Sequence, residues 1–540
     1  MGANAVLERI SGEYPCQMSS QTLRKRIALL AVSLMVPIAV GAPEANAAAC
    51  NESVSTFVQL QSAFTTCNSG GGGVITVTAD IDTTARLNYT GAGTLTIQSD
   101  QIGTLRRIRA TGTRSWGVLE SSAGPLIIDS LEITGGNGTS YGTYGGGIQG
   151  NRNLTVRNSY IHDNSGSTGG GLGLISTSDA APWKTFDLQY SRVESNTSTA
   201  TGTTSGGGYF SLRGYETATI IGSSFMYNQV ASVGSALAFR LQNIASVYTI
   251  TNSTIAYNRA ISNSVGYGAV SYDYGTLFLN FDTFNENSVA VSSGKADIYC
   301  ATNNQCSMRS VGSVFANSSS TGTCSINATA RYATYSVSNI DTSTGFSCLH
   351  NINSAGIRQT ALEATNVVSS VANMYLAPNA ALNGGTTPNF AITNSASKLM
   401  GVVPSSVGAL YTTIDQRGVA RTGSFWSAGA YERSSVATAS NIGLSFPAGA
   451  VIYRQSKTLT ATSDSAPGKI TFFANGKRIA GCINKPTSSS NSYTVTCSWK
   501  PSVRGAVVLS AVFSPADSDA FSPGISTPLY VGVSNRSSIR

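Results

Sequence analysis

The sequence predicts an all-β protein, a parallel β-helix followed by a smaller β-sandwich. A phrase of the form x-Ser-x-φ-x-x-Asn, in which φ is apolar, returns about every 30 residues between residues 158 and 317. Glycine runs precede short β-branched segments inside each period, and helical periodicity is absent between residues 125 and 320. A sequence period of this size indicates stacked supersecondary units, and two or three short strands per period fit one coil of a β-helix.

The composition favours a protein that works outside the cytoplasm. Charged residues make up 11% of the 540 residues, and the formal net charge is +8. Ordinary globular domains carry roughly 25% charged residues. Nucleic-acid binding needs a concentrated basic stripe, which this chain lacks after its leader. The positive charge is spread over the chain without a cluster, which is consistent with a weak attraction to anionic polysaccharide or lipid surfaces.

The first 47 residues are predicted to be a signal peptide. Arg24-Lys25-Arg26 precedes the apolar run from Ile27 to Ala42, and Ala45-Asn46-Ala47 has the pattern of a cleavage site. The segment before Arg24 is long for such a leader, so translation is hypothesised to start at Met18. The mature chain is expected to be secreted or at the cell surface, and it has no predicted transmembrane segment.

The eight cysteines after the leader fall into neighbouring pairs along the chain. In an exported protein this favours four local disulfides, Cys50–Cys67, Cys300–Cys306, Cys324–Cys348 and Cys482–Cys497. Eight cysteines permit many other pairings. A competing interpretation makes Cys50 a lipidated N-terminus, but Ala47 stands where such signals have Leu, and Cys50 lies far from the apolar run.

The solenoid itself is predicted to span residues 48–433 and to begin with a helical cap. Val54, Phe57, Val58, Gln61 and Phe64 follow three-and-four spacing, which predicts a helix over residues 52–66 capped by Ser53 or Ser55. A terminal cap prevents the open end of a solenoid from exposing its core and its edge strands. Strands are expected to follow from residue 74.

Six copies of the repeat phrase are expected to occupy equivalent places in successive coils. Their closing asparagines are 164, 196, 228, 258, 287 and 317, and the sixth copy is one residue short between its Ser and its apolar position. The apolar positions should stack as one interior ladder, and these are Ile133, Ile161, Val193, Phe225, Ile255 and Phe284. Asparagine tolerates a left-handed backbone and can hydrogen-bond its neighbours in a stack. The glycine runs permit positive φ or close backbone approach.

Two stretches resemble a known family. Residues 153–164, Asn-Leu-Thr-Val-Arg-Asn-Ser-Tyr-Ile-His-Asp-Asn, are similar to the repeats of polymorphic outer-membrane-protein-type β-helices. Residues 415–421 and 429–432 resemble the ending of the choice-of-anchor Q domain. The resemblance implies a right-handed, pectate-lyase-like solenoid of a bacterial secreted or surface protein. It also implies that residues 415–432 close the helix before a variable attachment module.

The C-terminal part is predicted to be a separate sandwich. Residues 434–440 have the composition of a linker, and five alternating segments follow within 441–535. These are 456–461, 469–474, 493–499, 506–513 and 529–533. Asn475-Gly476 signals a type I′ hairpin turn, and Cys482, Cys497 and Trp499 supply a staple and a core residue. This part resembles bacterial immunoglobulin-like repeats.

Candidate catalytic residues are sparse. Asp273 and Asp297, one coil apart, are the candidates in the densest acidic region, which also holds Asp282 and Glu286. A lyase also needs a basic residue, for which Arg213 and Arg240 are available without an aspartate cluster beside them. Solvated surface charge is the plainer interpretation of these residues. His162 and His350 are interpreted as non-catalytic, and no cofactor or metal is predicted.

The sequence therefore favours a secreted or surface-associated, non-catalytic protein for adhesion or contact with glycan or matrix. Tyr141, Tyr144, Tyr209, Tyr267 and Tyr272 lie beside the glycine runs, where they either form an exposed strip for stacking on sugars or pack in the core. The alternative function is a polysaccharide lyase or glycoside hydrolase with its site around residues 270–300.

Overall fold

The structure is a computed structural model that describes most of the chain from residue 49 to residue 534. The gaps in this range are residues 102, 113–114, 139–143, 152, 176–182, 201–204, 232, 262–267, 291–293, 301–304, 319–323, 327–329, 340–347, 351–368, 371–373, 395–396, 434–439, 464–466, 488–492, 517–520 and 522. The predicted signal peptide, residues 1–47, lies outside the described residues.

The first part of the chain is a parallel β-solenoid with four sheets, numbered 1 to 4 in the order in which a complete coil visits them. Sheet 1 contains Cys50–Val54, Gly73–Val77, Leu95–Ser99, Leu126–Asp129, Asn153–Arg157, Lys184–Gln189, Glu216–Ile221, Val247–Thr251, Gly275–Asn280, Cys306–Val311 and Ala330–Thr334. Sheet 2 contains Ile81–Thr83, Arg106–Ala110, Leu131–Thr134, Tyr160–His162, Arg192–Glu194, Ser224–Met226, Thr254–Ala256, Thr283–Asn285, Val314–Ala316, Val337–Ser338 and Ser369–Ser370. Within each sheet, neighbouring strands belong to successive coils and run parallel.

Sheets 3 and 4 complete each coil with shorter strands. Sheet 3 contains Asn137–Gly138, Ser165–Gly166, Thr197–Ser198, Gln229–Val230, Arg259–Ala260 and Ser288–Val289. Sheet 4 contains Leu87–Tyr89, Leu119–Ser121, Ile148–Gly150, Leu172–Ile175, Tyr209–Gly214, Leu237–Gln242, Val270–Tyr272, Ile298–Cys300 and Cys324–Ile326. The prediction of a parallel β-helix is confirmed.

The interior ladder predicted from the repeat is present in sheet 2. Its six apolar side chains pair coil to coil in register, and all are fully buried. Ile108 and Phe315 extend the ladder by one coil at each end. Phe315 is therefore the apolar residue of the sixth copy, so the prediction that this copy lacks a residue between its Ser and its apolar position is wrong.

Each repeat phrase is bounded by two left-handed corners. One corner is the residue before the repeat serine, for example Asn158, Tyr190 and Asn252 with φ of 52°, 47° and 50°. The other is the residue before the closing asparagine, for example Asp163 and Tyr227 with φ of 51° and 57°. The closing asparagines of the first five copies are not left-handed, which corrects the role expected for them. Their buried side chains form hydrogen bonds along the stack instead.

Those asparagines form a ladder that runs through five coils. The Asn196 Oδ1 accepts hydrogen bonds from the backbone N–H and the side-chain amide of Asn164, at 3.1 and 3.0 Å, and Asn228 does the same for Asn196. The ladder continues through Asn258 to Asn287. In the sixth copy Asn317 sits at the left-handed corner with φ of 52°, and Ser318 takes the ladder position.

The glycine runs allow coils to approach closely. A methyl group on Gly146 would lie 2.4 Å from the Gly170 carbonyl oxygen, and one on Gly170 would lie 2.3 Å from that of Gly207. Both distances are shorter than any real contact of a Cβ atom. Their φ angles are not positive, so close approach of the backbones is the reason for these glycines.

The N-terminal cap is a helix, as predicted, but it starts later than expected and buries a different face. Residues Cys50–Val54 form the edge strand of sheet 1, and helix α1 spans Phe57–Gly70. Thr56, rather than Ser53 or Ser55, caps it in a capping box with Gln59. Val58 is 74% exposed, whereas Leu60, Ala63 and Phe64 are buried, so the apolar face is rotated from the expected one.

The four disulfides are those of the local set. Cys50–Cys67 ties the edge strand to α1, and Cys300–Cys306 bridges sheets 4 and 1. Cys324–Cys348 lies at the C-terminal end of the described coils, and Cys482–Cys497 lies in the C-terminal part.

Residues 374–433, here called the strap, fold back along the outer face of sheet 2. Phe390 packs on Met226 and Ala256, and Met374 packs in a cluster with Val314. The strap contains the antiparallel pair Val403–Pro404 and Phe425–Trp426 and the one-turn helix α2, Ser405–Gly408. The residues that resemble the choice-of-anchor Q ending lie inside this strap.

The C-terminal part consists of two mainly antiparallel sheets that enclose a separate apolar core. One sheet contains Ile442–Ser445, Lys457–Ser463 and Thr494–Trp499. The other contains Val451–Ile452, Gly468–Ala474, Lys477–Arg478, Lys485–Thr487, Gly505–Pro515, Gly524–Ile525 and Leu529–Ser534. All five predicted strands are present, and Asn475-Gly476 turns the chain with two positive φ angles. This arrangement is compatible with a sandwich.

None of the helices in the described part of the chain has the length and apolar character that crossing a bilayer requires.

Candidate binding cleft

The acidic residues singled out from the sequence do not form an open carboxylate pair. Asp273 directly follows the sheet 4 strand Val270–Tyr272, and Asp297 directly precedes the next strand, Ile298–Cys300. Since Val270 pairs with Ile298, the two aspartates are offset by four residues, about 13 Å along the strands. Both are buried, so their interpretation as solvated surface charge is wrong.

Asp273 belongs to a buried column of alternating charge where sheet 4 turns into sheet 1. Arg240 contacts the Asp273 carboxylate at 2.8 Å, and in the two preceding coils Lys184 lies 3.6 Å from Glu216. Tyr209 donates a hydrogen bond of 2.6 Å to Glu216. Arg240 is therefore paired with a single aspartate. The column balances charge inside the solenoid and is closed to a polymeric substrate.

Asp297 closes the asparagine ladder. Its Oδ1 accepts hydrogen bonds from Asn287 at 3.0 Å and from Ser318 at 2.8 Å. Burial raises the pKa of Asp297 to about 7, against the two hydrogen bonds, which lower it. Asp282 has a comparable place in a ladder of repeat serines, where it accepts the Ser253 N–H at 2.9 Å, and burial raises its pKa as well. Both carboxyls serve the stacking of coils.

The tyrosines beside the glycine runs are mostly interior. Tyr209 and Tyr272 are fully buried, and Tyr144 is half-buried against Phe210. Tyr141 and Tyr267 lie outside the described residues. The described members therefore do not form an exposed strip.

The two histidines lie in different surroundings. His162 is packed on Tyr160 between Glu132 at 3.2 Å and Asp163 at 2.8 Å, and His350 is buried at the C-terminal end of the described coils. The His162 side chain is thus largely enclosed by its neighbours.

An exposed aromatic platform is found instead at a left-handed corner of sheet 2. Tyr227 and Tyr257 occupy this corner in successive coils, and their rings stack with centroids 4.8 Å apart and planes 5° apart. The preceding coil has Ser195 at the same corner. Because a serine is too short to cover the ring, the second face of Tyr227 stays open, and 52% of this residue is exposed.

Tyr227 lines a cleft of about 500 Å³ between the solenoid, the strap and the C-terminal sheets. The solenoid supplies Arg192, Glu194, Met226 and Tyr227 to this cleft. The strap contributes 377–381, 383, 388, 391 and 393, and the C-terminal sheets contribute 473, 476, 478, 510, 512 and 523–525. The cleft therefore combines one open aromatic ring, apolar walls and a few charged groups.

Two charged groups on the solenoid side are held in place. Arg192 contacts Glu194 at 2.8 Å and lies over the Tyr160 ring at 4.0 Å from its centroid. Partial burial raises the pKa of Tyr227, and Glu194 and Glu286 add to the rise, whereas Arg478 opposes it. Arg478 of the C-terminal sheets thus acts electrostatically on the ring, which remains an uncharged phenol at physiological pH.

Sequence reasoning missed this cleft, although one signal was available. In the six copies of the repeat, the residue before the closing asparagine is aromatic only twice. These two residues are Tyr227 and Tyr257, which belong to consecutive copies. The strap and the C-terminal sheets, which form the other walls, meet the solenoid far from their places in the sequence.

The part of the chain that the structure describes contains no group of three or more His, Cys, Asp and Glu residues placed to hold a metal ion. Comparisons with protein-family models, with curated proteins and with solved structures found no match.

Proposed function

We propose that this is an exported, non-catalytic binding protein that contacts glycan through the cleft at Tyr227, in adhesion or in matrix attachment. The observation that carries the proposal is the open face of Tyr227, held parallel to Tyr257 inside a cleft of about 500 Å³. Ligand sites generally occupy about 300–1,000 Å³ and combine apolar walls with a few placed polar groups.

The chemistry of the cleft suits a sugar ring. An aromatic face offers apolar area to the C–H face of a pyranose, while charged groups at the ring's edge bind its hydroxyls. Arg192 and Glu194 supply donors and acceptors beside Tyr227, and their mutual ion pair fixes both side chains. Stacking on Tyr257 restrains the Tyr227 ring, so the ring loses little conformational entropy when a ligand binds.

The finer identity of the two parts belongs to the same proposal. We infer that the solenoid is right-handed and of the polymorphic outer-membrane-protein type, and that the C-terminal sheets are an immunoglobulin-like sandwich. The repeats at residues 153–164 and the alternating strands with the Cys482–Cys497 bridge support this inference. A crystal structure of the mature protein tests both assignments through the sense of the coils and the strand order.

The function is tested by a glycan array probed with the mature protein and with Tyr227→Ala. We expect the wild type to bind a defined set of glycans, and Tyr227→Ala to lose at least tenfold in affinity for them, because the stacking face is gone. Tyr227→Trp should keep binding. Tyr530→Ala is the matched control, since Tyr530 is 77% exposed outside the cleft.

Two outcomes of this experiment would count against the proposal. One is glycan binding that Tyr227→Ala leaves unchanged. The other is shortening of the glycans by the wild type at enzymatic rates, which would favour the lyase or hydrolase alternative. Variants Asp273→Asn and Asp297→Asn would then show whether the buried acids take part in that activity.

A further inference from the structure

We propose that the ligand of the cleft is an acidic glycan, whose carboxylates are bound by Arg478 and Lys469. This inference rests on the proposed function and names the class of ligand. A second cavity of about 360 Å³ is lined in part by the same residues as the first, namely 381, 383, 473, 478 and 512. The two cavities therefore form one groove, long enough for more than one sugar unit.

Among the described residues that line this groove, positive charge is in excess. Arg478 lines both cavities and Lys469 lines the second, and both side chains are exposed to solvent. Among the described residues no carboxylate lies within 4.0 Å of either cation, and none of the residues lining the second cavity is acidic. Glu194, the acidic residue of the first cavity, is already paired with Arg192.

The arrangement favours a carboxylated sugar polymer over a neutral one. Tyr227 provides a ring face at one end of the groove, and toward the other end follow cations that have no carboxylate within 4.0 Å among the described residues. An arginine binds a carboxylate through two parallel N–H donors, and a lysine adds a mobile point charge. A uronate chain presents a ring and a carboxylate in every unit, so it matches both features at once. Glycines 384, 385 and 468 line the second cavity, and their lack of side chains lets the uronate polymer lie close to the protein backbone there.

The test compares a mannuronate hexasaccharide with its carboxyl-reduced, neutral counterpart by calorimetry on the mature protein. We expect the acidic form to bind at least tenfold more tightly at 50 mM salt. Because both cations are exposed, this preference should fall severalfold at 500 mM salt. The double variant Lys469→Gln/Arg478→Gln should bind both hexasaccharides with affinities within about threefold of each other. Lys500→Gln/Arg504→Gln is the matched control, since these cations lie on the same domain outside the groove.

The outcomes separate this inference from the proposed function. Equal binding of the acidic and neutral forms, with loss of both in Tyr227→Ala, overturns the acidic ligand and keeps the glycan site. Binding of neither form, on a protein that also binds nothing on the array, overturns the function itself. Polyphosphate that binds as tightly as the uronate chain, and equally to Tyr227→Ala, would show general attraction of anions and would also overturn the inference.

Discussion

At the corners of sheet 2, the backbone conformation is the same from coil to coil, whereas the side chain differs. A left-handed backbone costs a non-glycine residue roughly 1–2 kcal/mol. Such residues recur at both corners of the repeat, although Gly222 and Gly312 take the corner before the serine in two copies. The serine and asparagine ladders hold the corners in place by buried hydrogen bonds. The corner side chains are not needed for stacking, so residues as different as Asp163, Ser195 and Tyr227 occur there.

Asp297 shows the cost of ending a ladder on an ionisable group. Its Oδ2 has no hydrogen-bond partner among the described residues, and its environment raises the pKa to about 7. An unfolded aspartate has a pKa of about 3.9. Between these two values the folded state holds the proton and the unfolded state does not, so the free energy of unfolding falls as the pH rises from about 4 to about 7.

Asp297→Asn should remove this pH dependence. The amide keeps an oxygen for Asn287 and Ser318 and carries no charge to bury. We expect the variant to be more stable than the wild type at pH 8, by up to about 4 kcal/mol, and similar to it at pH 4. Urea unfolding at both pH values measures this difference. Asp163→Asn is the control, because its side chain is 66% exposed. A variant less stable than the wild type at pH 8 would contradict the account.

At the scale of elements, one buried arginine links parts of the strap to each other and to the solenoid. Arg421 contacts Glu432 at 2.7 Å and donates a hydrogen bond of 3.0 Å to Asn252 of the solenoid. It also donates to the Gly429 and Ser427 carbonyl oxygens at 2.9 and 3.1 Å. Burial lowers the pKa of Arg421, and Glu432 and Asp415 oppose this shift. Arg421 thus stabilises the strap and its attachment to the solenoid.

Arg421→Leu should release the strap before the coils unfold. The change leaves the Glu432 carboxylate buried without its cation, which costs about 3–5 kcal/mol. We expect limited proteolysis to cut first within residues 374–433, and glycan binding to weaken because strap residues line the cleft. Arg259→Leu, on an exposed arginine of sheet 3, serves as the control. Cleavage that begins in the coils instead would show that the strap does not depend on Arg421.

The elements that the sequence predicts well are those governed by local pattern. The interior ladder, the glycine runs and the hairpin at Asn475-Gly476 follow from periodicity and turn chemistry, and the structure contains them. The start of α1 was misplaced because Cys50–Val54 pairs with Gly73–Val77, a contact that helical spacing alone does not reveal. Likewise, Asp273 and Asp297 were interpreted as surface charge, because Arg240 reaches Asp273 from the preceding coil and Asn287 reaches Asp297 across the interior of one coil.

On the scale of the whole molecule, the cleft depends on three parts that are distant in sequence. Tyr227 comes from the solenoid, residues 377–381 come from the strap, and Arg478 comes from the C-terminal sheets. The strap begins about 150 residues after Tyr227 and returns to it, as Phe390 does against Met226. A single sequence contains no short-range signal for contacts between such distant parts. For this reason the sequence predicts the solenoid but not the cleft.

The central claim, that Tyr227 is the contact point for a glycan, is tested most directly by hydroxyl-radical footprinting with and without a saturating glycan ligand from the array. We expect oxidation of Tyr227 to fall at least fivefold when the ligand is bound, because a sugar ring covers its open face. Oxidation of Tyr530, which is exposed outside the cleft, should not change. Undiminished oxidation of Tyr227 in the presence of bound ligand would contradict the account.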